Sequence, residues 1–328
     1  MIARPLEPSP TAAAPTPAAA APSPSPVTSV PAPSPVMVAL PAAPPVTATV
    51  PAIPVVPAPG EALVSYAAAL PAGSVEIDAG GDVTFGGVVG DLIAQRGLGW
   101  PWQYVTPVFA HADMSFVNME GTVSNRGSPE PKQYTYRGDP AVIPAMAAAG
   151  VTVVTVANNH SLDFGPDALI DTVGDLASAG IAPVGGGADD AHAWEPAVVT
   201  KKGVRVAFVA ATRILPAGWA AGATTPGVAS AYDERRLLAA VRGARARSDF
   251  VVAAIHWGTE GATDPGLEQV HLAHALIDAG AGLVLGAHPH VLQPVVTYKG
   301  GVIAYSLGNL VFTASGVVQT SMILRVGV

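Results

Sequence analysis

His288 and His290 stand one residue apart around Pro289 in LGAHPHVLQP, directly after an apolar run and a glycine. Neutral imidazoles are common ligands of divalent transition metals. Residues of similar coordinating character close other apolar runs: Asp82 in AGGDVTFGG, Glu120 in NMEGTVSN, Asn159 and His160 in ANNHSLDFG, and His256 in AIHWGTE. Carboxylates, an amide and imidazoles together form a mixed N/O donor set suited to Zn, Mn or Fe, whereas calcium would want more oxygens. A carboxylate such as Glu120 can bridge two cations about 3.5–4 Å apart, an arrangement in which one cation activates a water and both stabilise charge developing in an in-line displacement. Pro289 biases His288 toward extended backbone, and extended residues two apart project to the same side. Both imidazoles are therefore expected to face one cavity, each toward a different cation.

Each residue taken alone has a plainer reading. An Asp or Asn after an apolar run is usually a turn former or a helix cap, and a lone histidine at a strand end is more often satisfied in place than a ligand. His271 and His274, at helical spacing in VHLAHALI, belong on the side of an amphipathic helix; His111 and His192 are likewise assigned to structure. The recurrence of ligand types at successive run ends sets the group apart from any of its members.

The elements that must carry these residues are legible as alternation. SVEIDAGGD, MSFVNMEG, VTVVTVANNH, RVAFVAAT, DFVVAAIHWG, AGLVLGAH and GVIAYSLGN read as strands, most ending in a polar residue or glycine. Between them, GPDALIDTVGDLASAG, DERRLLAAVRGARARS and DPGLEQVHLAHALIDAG place apolar residues at helical spacing, with Asp near the start and Gly or Ser near the end. Strand, polar end and helix in repeating order indicate an α/β domain with helices outside a buried sheet. In such folds ligands gather beyond the carboxyl ends of strands.

Residues 1–73 are almost entirely Ala, Pro, Val, Ser and Thr, with Arg4, Glu7 and Glu61 as the charged residues. Closely spaced prolines remove backbone donors and fix φ, so this stretch is expected to be a disordered Pro/Ala-rich tail or linker, with one folded domain over residues 74–328. The formal net charge of −8 comes with no basic run and no basic stripe, which argues against nucleic acid as a partner. Without cysteine, disulfides, thiolate metal sites and thiol nucleophiles are excluded. Prolines interrupt every N-terminal candidate for the roughly 20 apolar residues of a membrane span, and the first residues match a secretory signal poorly.

GDVTFGG, NMEGTVSN, ANNHSLDFG, AIHWGTE, GAHPHVLQP and YSLGNLVF, in that order, resemble the motif series of the CapA-like poly-gamma-glutamate capsule-biosynthesis proteins of the calcineurin-like metallophosphoesterase superfamily. The resemblance covers about residues 75–313. It implies a four-layer α/β/β/α sandwich of the metallophosphoesterase type. It also implies two divalent transition metals, with Asp82, Glu120 and His290 serving one and Glu120, Asn159, His256 and His288 the other. By the same resemblance His160 is the general acid, with Asp163 orienting it and raising its pKa. The chain departs from the wider superfamily pattern, in which the first motif carries Asp-x-His; here Val83 and Thr84 follow Asp82. The second motif has Glu120 where the superfamily places a bridging Asp.

Lys132 and Arg137 in PKQYTYRGDP, and Asn309 in YSLGNLVF, are candidates to line the substrate pocket, a bidentate arginine being suited to phosphate or carboxylate. For the two cations a solvated loop is the competing reading, and for Asn309 a cap. The resulting expectation is a metal-dependent hydrolase or transferase of capsule-polymer biosynthesis, acting on an anionic, phosphorylated or carboxylated substrate through a metal-activated water and a histidine acid. By resemblance it would sit outside the cell or at its surface, alongside capsule-synthesis membrane proteins. A non-catalytic surface scaffold for an anionic polymer and a generic metallophosphoesterase are the alternatives.

Overall fold

The structure, a computed structural model, describes residues 61–63, 70, 72–313 and 321–328. The expected disordered tail over residues 1–73 lies almost wholly outside them, apart from Leu70, two residues of the turn before the domain and a three-residue strand, β1 (Glu61–Leu63).

Two sheets face each other. The first is built on β2 (Glu76–Val83), β3 (Met114–Met119), β4 (Val153–Thr155) and β5 (Ala182–Val184), parallel neighbours in that order. The second uses β6 (Ala197–Lys201), β7 (Val204–Thr212), β8 (Phe250–His256), β9 (Leu283–Ala287), β10 (Val295–Tyr298) and β11 (Gly301–Ala304), ordered β1-β10-β11-β9-β8-β7-β6. Its inner strands β7, β8, β9 and β11 are parallel. The chain then crosses back to the first sheet, where β12 (Asn309–Val311) and β13 (Leu324–Gly327) both pair with β2. Arg325 of β13 donates two hydrogen bonds of 2.8 Å to buried Asp78 of β2, a bidentate pairing that fixes the register of this edge.

Strand alternation sorts the side chains into three cores. Ile77, Met114, Phe116 and Val153 of the first sheet meet Val206, Phe208, Val252 and Leu283 of the second. Phe116 and Phe208 stack across that interface, centroids 6.1 Å apart and nearly coplanar, an arrangement worth about 0.5–1.5 kcal/mol beyond burial. The opposite face of the first sheet packs on α1 (Gly87–Arg96), α2 (Val142–Ala148) and α3 (Pro166–Ser178). The outer face of the second packs on α4 (Glu234–Arg245) and α5 (Leu267–Asp278). The architecture is the four-layer α/β/β/α sandwich that was expected. Because both faces of each sheet are covered, the strands read as continuous apolar runs.

Two readings are corrected here. GVIAYSLGN is not one strand: Gly301–Ala304 belongs to the second sheet, and after a turn Asn309 opens β12 in the first. Nor do His288 and His290 lie on extended backbone. They follow the end of β9 with φ of 95° and 57°, in the region that favours glycine, at a cost of roughly 1–3 kcal/mol each. The left-handed turn, not strand alternation, aims the pair.

Candidate metal centre

The carboxyl ends of β2, β3, β8 and β9 converge at one end of the sandwich, and each delivers a ligand-type residue there. Asp82 is placed by an irregularity: the register of β2 against β3 shifts between Ala79 and Asp82, across Gly80 and Gly81. A Cβ on Gly81 would run into the carbonyl oxygen of Gly308, so the bulge needs glycine to let β12 approach. Glu120 follows β3, its backbone N–H donating to the Val83 carbonyl at 2.7 Å. His256 ends β8, and His288 follows β9.

Three groups of ligand atoms lie within 4.8 Å of one another: Asp82 with Glu120 and His290, Glu120 with His256 and His288, and Glu260 with His288 and His290. Glu120 belongs to the first two. Both of its carboxylate oxygens are buried without a hydrogen-bond partner, and so is Nδ1 of His288. A bare carboxylate in such a place is strongly disfavoured unless a cation meets it. Burial pushes Glu120 up to about 8. Burial works against a charged His290 as well, yet Glu120 and Asp82 outweigh it and raise His290 to about 10. His288 is lowered to about 4 and His256 well below its ordinary value, in both cases first by burial and then by neighbouring imidazoles. His256 and His288 are thereby held neutral, the state a divalent cation requires of an imidazole, whereas Glu120 and His290 must give up protons to bind one. The donor set therefore suits a divalent-cation site, with Glu120 common to two of the three groups.

Neighbouring residues orient these groups. Nδ1 of His290 lies 2.8 Å from Oδ1 of Asn309 and 3.3 Å from Oδ2 of Asp82, leaving Nε2 to face Glu120 at 3.7 Å. Nε2 of His256 lies 2.8 Å from Oδ1 of Asn159. Asn118 of β3 donates its amide to Oδ1 of Asp82 at 2.7 Å and sits 3.3 Å from Nδ1 of His256. Asn158 in turn donates to Oδ1 of Asn118 (3.2 Å) and to the Met119 carbonyl (2.8 Å), while accepting from the His160 backbone N–H (3.0 Å).

His160 sits at the edge of this cluster. Its Nδ1 is 2.7 Å from Oδ2 of Asp163, its Nε2 is 3.6 Å from Glu120, and the Tyr136 ring covers it at 4.6 Å. The expected raised pKa is not found: burial lowers His160 despite Asp163. Asp163 also accepts the Tyr136 backbone N–H at 2.7 Å and faces Nζ of Lys132 at 2.5 Å.

The structure thus brings Asp82, Glu120, Asn159, His160, Asp163, His256, His288, His290 and Asn309 together. Lys132 touches the cluster through Asp163 and through the Asn159 carbonyl, to which its Nζ donates at 2.6 Å. Arg137 is apart from it, exposed, with its guanidinium over Phe164 and 3.4 Å from the Gly127 carbonyl. His271 is exposed near Glu234, and His274 stacks on Tyr298. Asn118, Asn158 and Glu260 were not singled out from sequence. Their one signal is proximity to Glu120, Asn159 and His256 in chain order.

Residues 76–314 match the family model of the bacterial capsule synthesis protein PGA_cap. The chain is 35% identical over 235 residues to the PGA biosynthesis protein CapA of Bacillus subtilis, covering 71% of this chain and 62% of that protein. It is 36% identical over 233 residues to a probable polyglutamine synthesis accessory protein of Mycobacterium tuberculosis, covering 66% of this chain and 61% of that one. The chain spans about three fifths of the length of these curated relatives. Among solved structures, a putative 5'-nucleotidase from Staphylococcus aureus aligns with a TM-score of 0.43 at 14% identity, over 72% of this chain and 49% of that one, too loose a likeness to bear on chemistry.

Proposed function

The chain belongs to the PGA_cap family of bacterial capsule synthesis proteins, and we propose that it is a divalent-cation-dependent enzyme that hydrolyses or transfers an anionic capsule polymer of the poly-gamma-glutamate type. The observation that carries this reading is the bare, buried carboxylate of Glu120, shared by the Asp82/His290 and His256/His288 pairs.

When bound, the cations would supply Lewis-acid polarisation of the substrate and neutralisation of developing negative charge. Asp82, Glu120, Asn159, His256, His288 and His290 would hold them. The remaining chemistry belongs to the chain's own residues. His160 presents Nε2 to the centre, and Asp163, 2.7 Å from Nδ1, keeps the proton there and the ring oriented. Since burial lowers the pKa of His160, the ring is largely neutral at pH 7 in the free site; an anionic substrate beside it would draw it toward the protonated form a general acid needs. Asn309 steers His290, and Lys132 offsets the charge of Asp163. A cell-surface setting, capsule-synthesis membrane proteins as neighbours and a spacer role for residues 1–73 complete the proposal. Among the described residues no helix is long and apolar enough to cross a membrane.

The test uses the full chain: bound metal is measured after preparation without chelators, and wild type, His288→Ala and His290→Ala are compared on phosphate esters and on gamma-linked glutamate oligomers. The expected result is bound transition metal with turnover of the glutamate oligomers, lost in both variants. Absence of bound metal overturns the reading. Metal with turnover of neither substrate replaces it with a cation-held binding site for polymer carboxylates, and turnover of phosphate esters alone moves it to a phosphoesterase.

A further inference from the structure

We propose that Glu260 is a further ligand of the metal centre, the carboxylate at its mouth that completes the coordination of the cation held beside His288 and His290. This rests on the metal-dependent reading above. Glu260 stands four residues after His256 on the connection from β8 to α5. Its carboxylate oxygen and the ring nitrogens of His288 and His290 lie within 4.8 Å of one another. Unlike the two histidines, Glu260 is exposed, so nothing in the apolar packing explains why it is held there.

The backbone around it is docked onto the His-Pro-His turn. Gly261 donates its N–H to the Pro289 carbonyl at 2.8 Å. Two buried glutamines tie down the rest of the loop: Gln293 donates Nε2 to the carbonyls of Ala262 (2.9 Å) and Asp264 (3.2 Å), and accepts from Nε2 of Gln269 at 3.0 Å. Gln269 accepts the Gly266 N–H at 2.9 Å. Buried amides spent on holding a loop against two ligand residues are a device for placing a side chain.

Charge gives the second argument. Two divalent cations would bring four positive charges against two negative ones, from Asp82 and Glu120, because the imidazoles and Asn159 are neutral ligands. A third carboxylate reduces the excess at the solvent side, where no other acidic ligand stands among the described residues. His288 also keeps a buried Nδ1 without a hydrogen-bond partner, a nitrogen still available to a cation.

The experiment titrates the chelator-stripped full chain with Co²⁺, following heat and the visible absorption of the bound metal, for wild type, Glu260→Gln and Glu268→Gln. Glu268 is an exposed acid of α5 engaged with Arg213, so its variant removes the same charge without touching the centre. Expected is a loss of about tenfold or more in affinity for one bound equivalent in Glu260→Gln, with an altered cobalt spectrum and an unchanged metal-free melting temperature, and no effect in Glu268→Gln. A Glu260→Gln protein that titrates like wild type overturns the inference and leaves the metal reading intact; equal weakening in both variants also overturns it. A wild type that takes up no cobalt removes the metal reading itself.

Discussion

The side-chain amide of Asn118 donates to Oδ1 of Asp82 at 2.7 Å and lies 3.3 Å from Nδ1 of His256, so one uncharged residue braces a candidate ligand from each of two neighbouring triads. Its own Oδ1 accepts from Asn158, which extends the brace to the loop carrying Asn159 and His160. Asn118→Ala is expected to lower divalent-metal affinity about 10–100-fold. It should also cost about 1–3 kcal/mol in the metal-free protein, because buried polar groups lose their partner. Metal titration and urea unfolding in chelator measure the two effects separately.

Protons and cations compete for the same groups. Burial pushes Glu120 up to about 8, and Glu120 and Asp82 hold His290 up to about 10 against its burial. Metal binding at pH 7 should therefore release protons, and affinity should climb as pH rises from 7 toward 9. Calorimetry in two buffers of different ionisation enthalpy counts the protons.

Without metal the stability trend runs the other way. A folded pKa raised above the unfolded one contributes stability below the unfolded value and loses it as pH rises through the folded value. His256 and His288, held below their ordinary values, are close to neutral in both states above pH 7. The urea midpoint should then fall between pH 7 and 9, and Glu120→Gln should flatten that fall; a midpoint that climbs over this range contradicts the assignment.

Gly286 in β9 admits no side chain. A Cβ there would run into the Tyr305 carbonyl oxygen and the Trp257 indole nitrogen, which are hydrogen-bonded to each other at 2.9 Å. Gly286→Ala is expected to destabilise by about 1–3 kcal/mol through overpacking. Since His288 follows two residues later, metal affinity should drop with it. Equilibrium unfolding with an unchanged m-value identifies the first effect.

His160→Gln keeps the residue's volume and removes the titrating ring. If His160 delivers the proton to the leaving group, turnover of substrates with basic leaving groups should fall about 10²–10⁴-fold, while substrates with acidic leaving groups lose far less. Equal losses on both would assign His160 to positioning.

The sequence alone determined the class of fold and named most of the residues that the fold gathers at the candidate centre, for one physical reason. Parallel strands buried on both faces must be apolar throughout, so the first polar residue after each run stands out, and the carboxyl ends of such strands are where ligands gather. Asp82, Glu120, His256 and His288 were legible on that ground. Asn118 was not, because it lies inside an apolar run and reads there as a flaw in a strand; only pairing of β2 with β3 sets it opposite Asp82. Glu260 lies on a connection with no period to mark it. For Lys132 the sequence offers a charge but not its partner, because Asp163 lies thirty-one residues further along the chain. The His-Pro-His pair shows the division most sharply. The residue types led to the expectation of metal ligation, but the direction of both rings is set by positive φ angles, a strain that only surrounding tertiary contacts can hold in place.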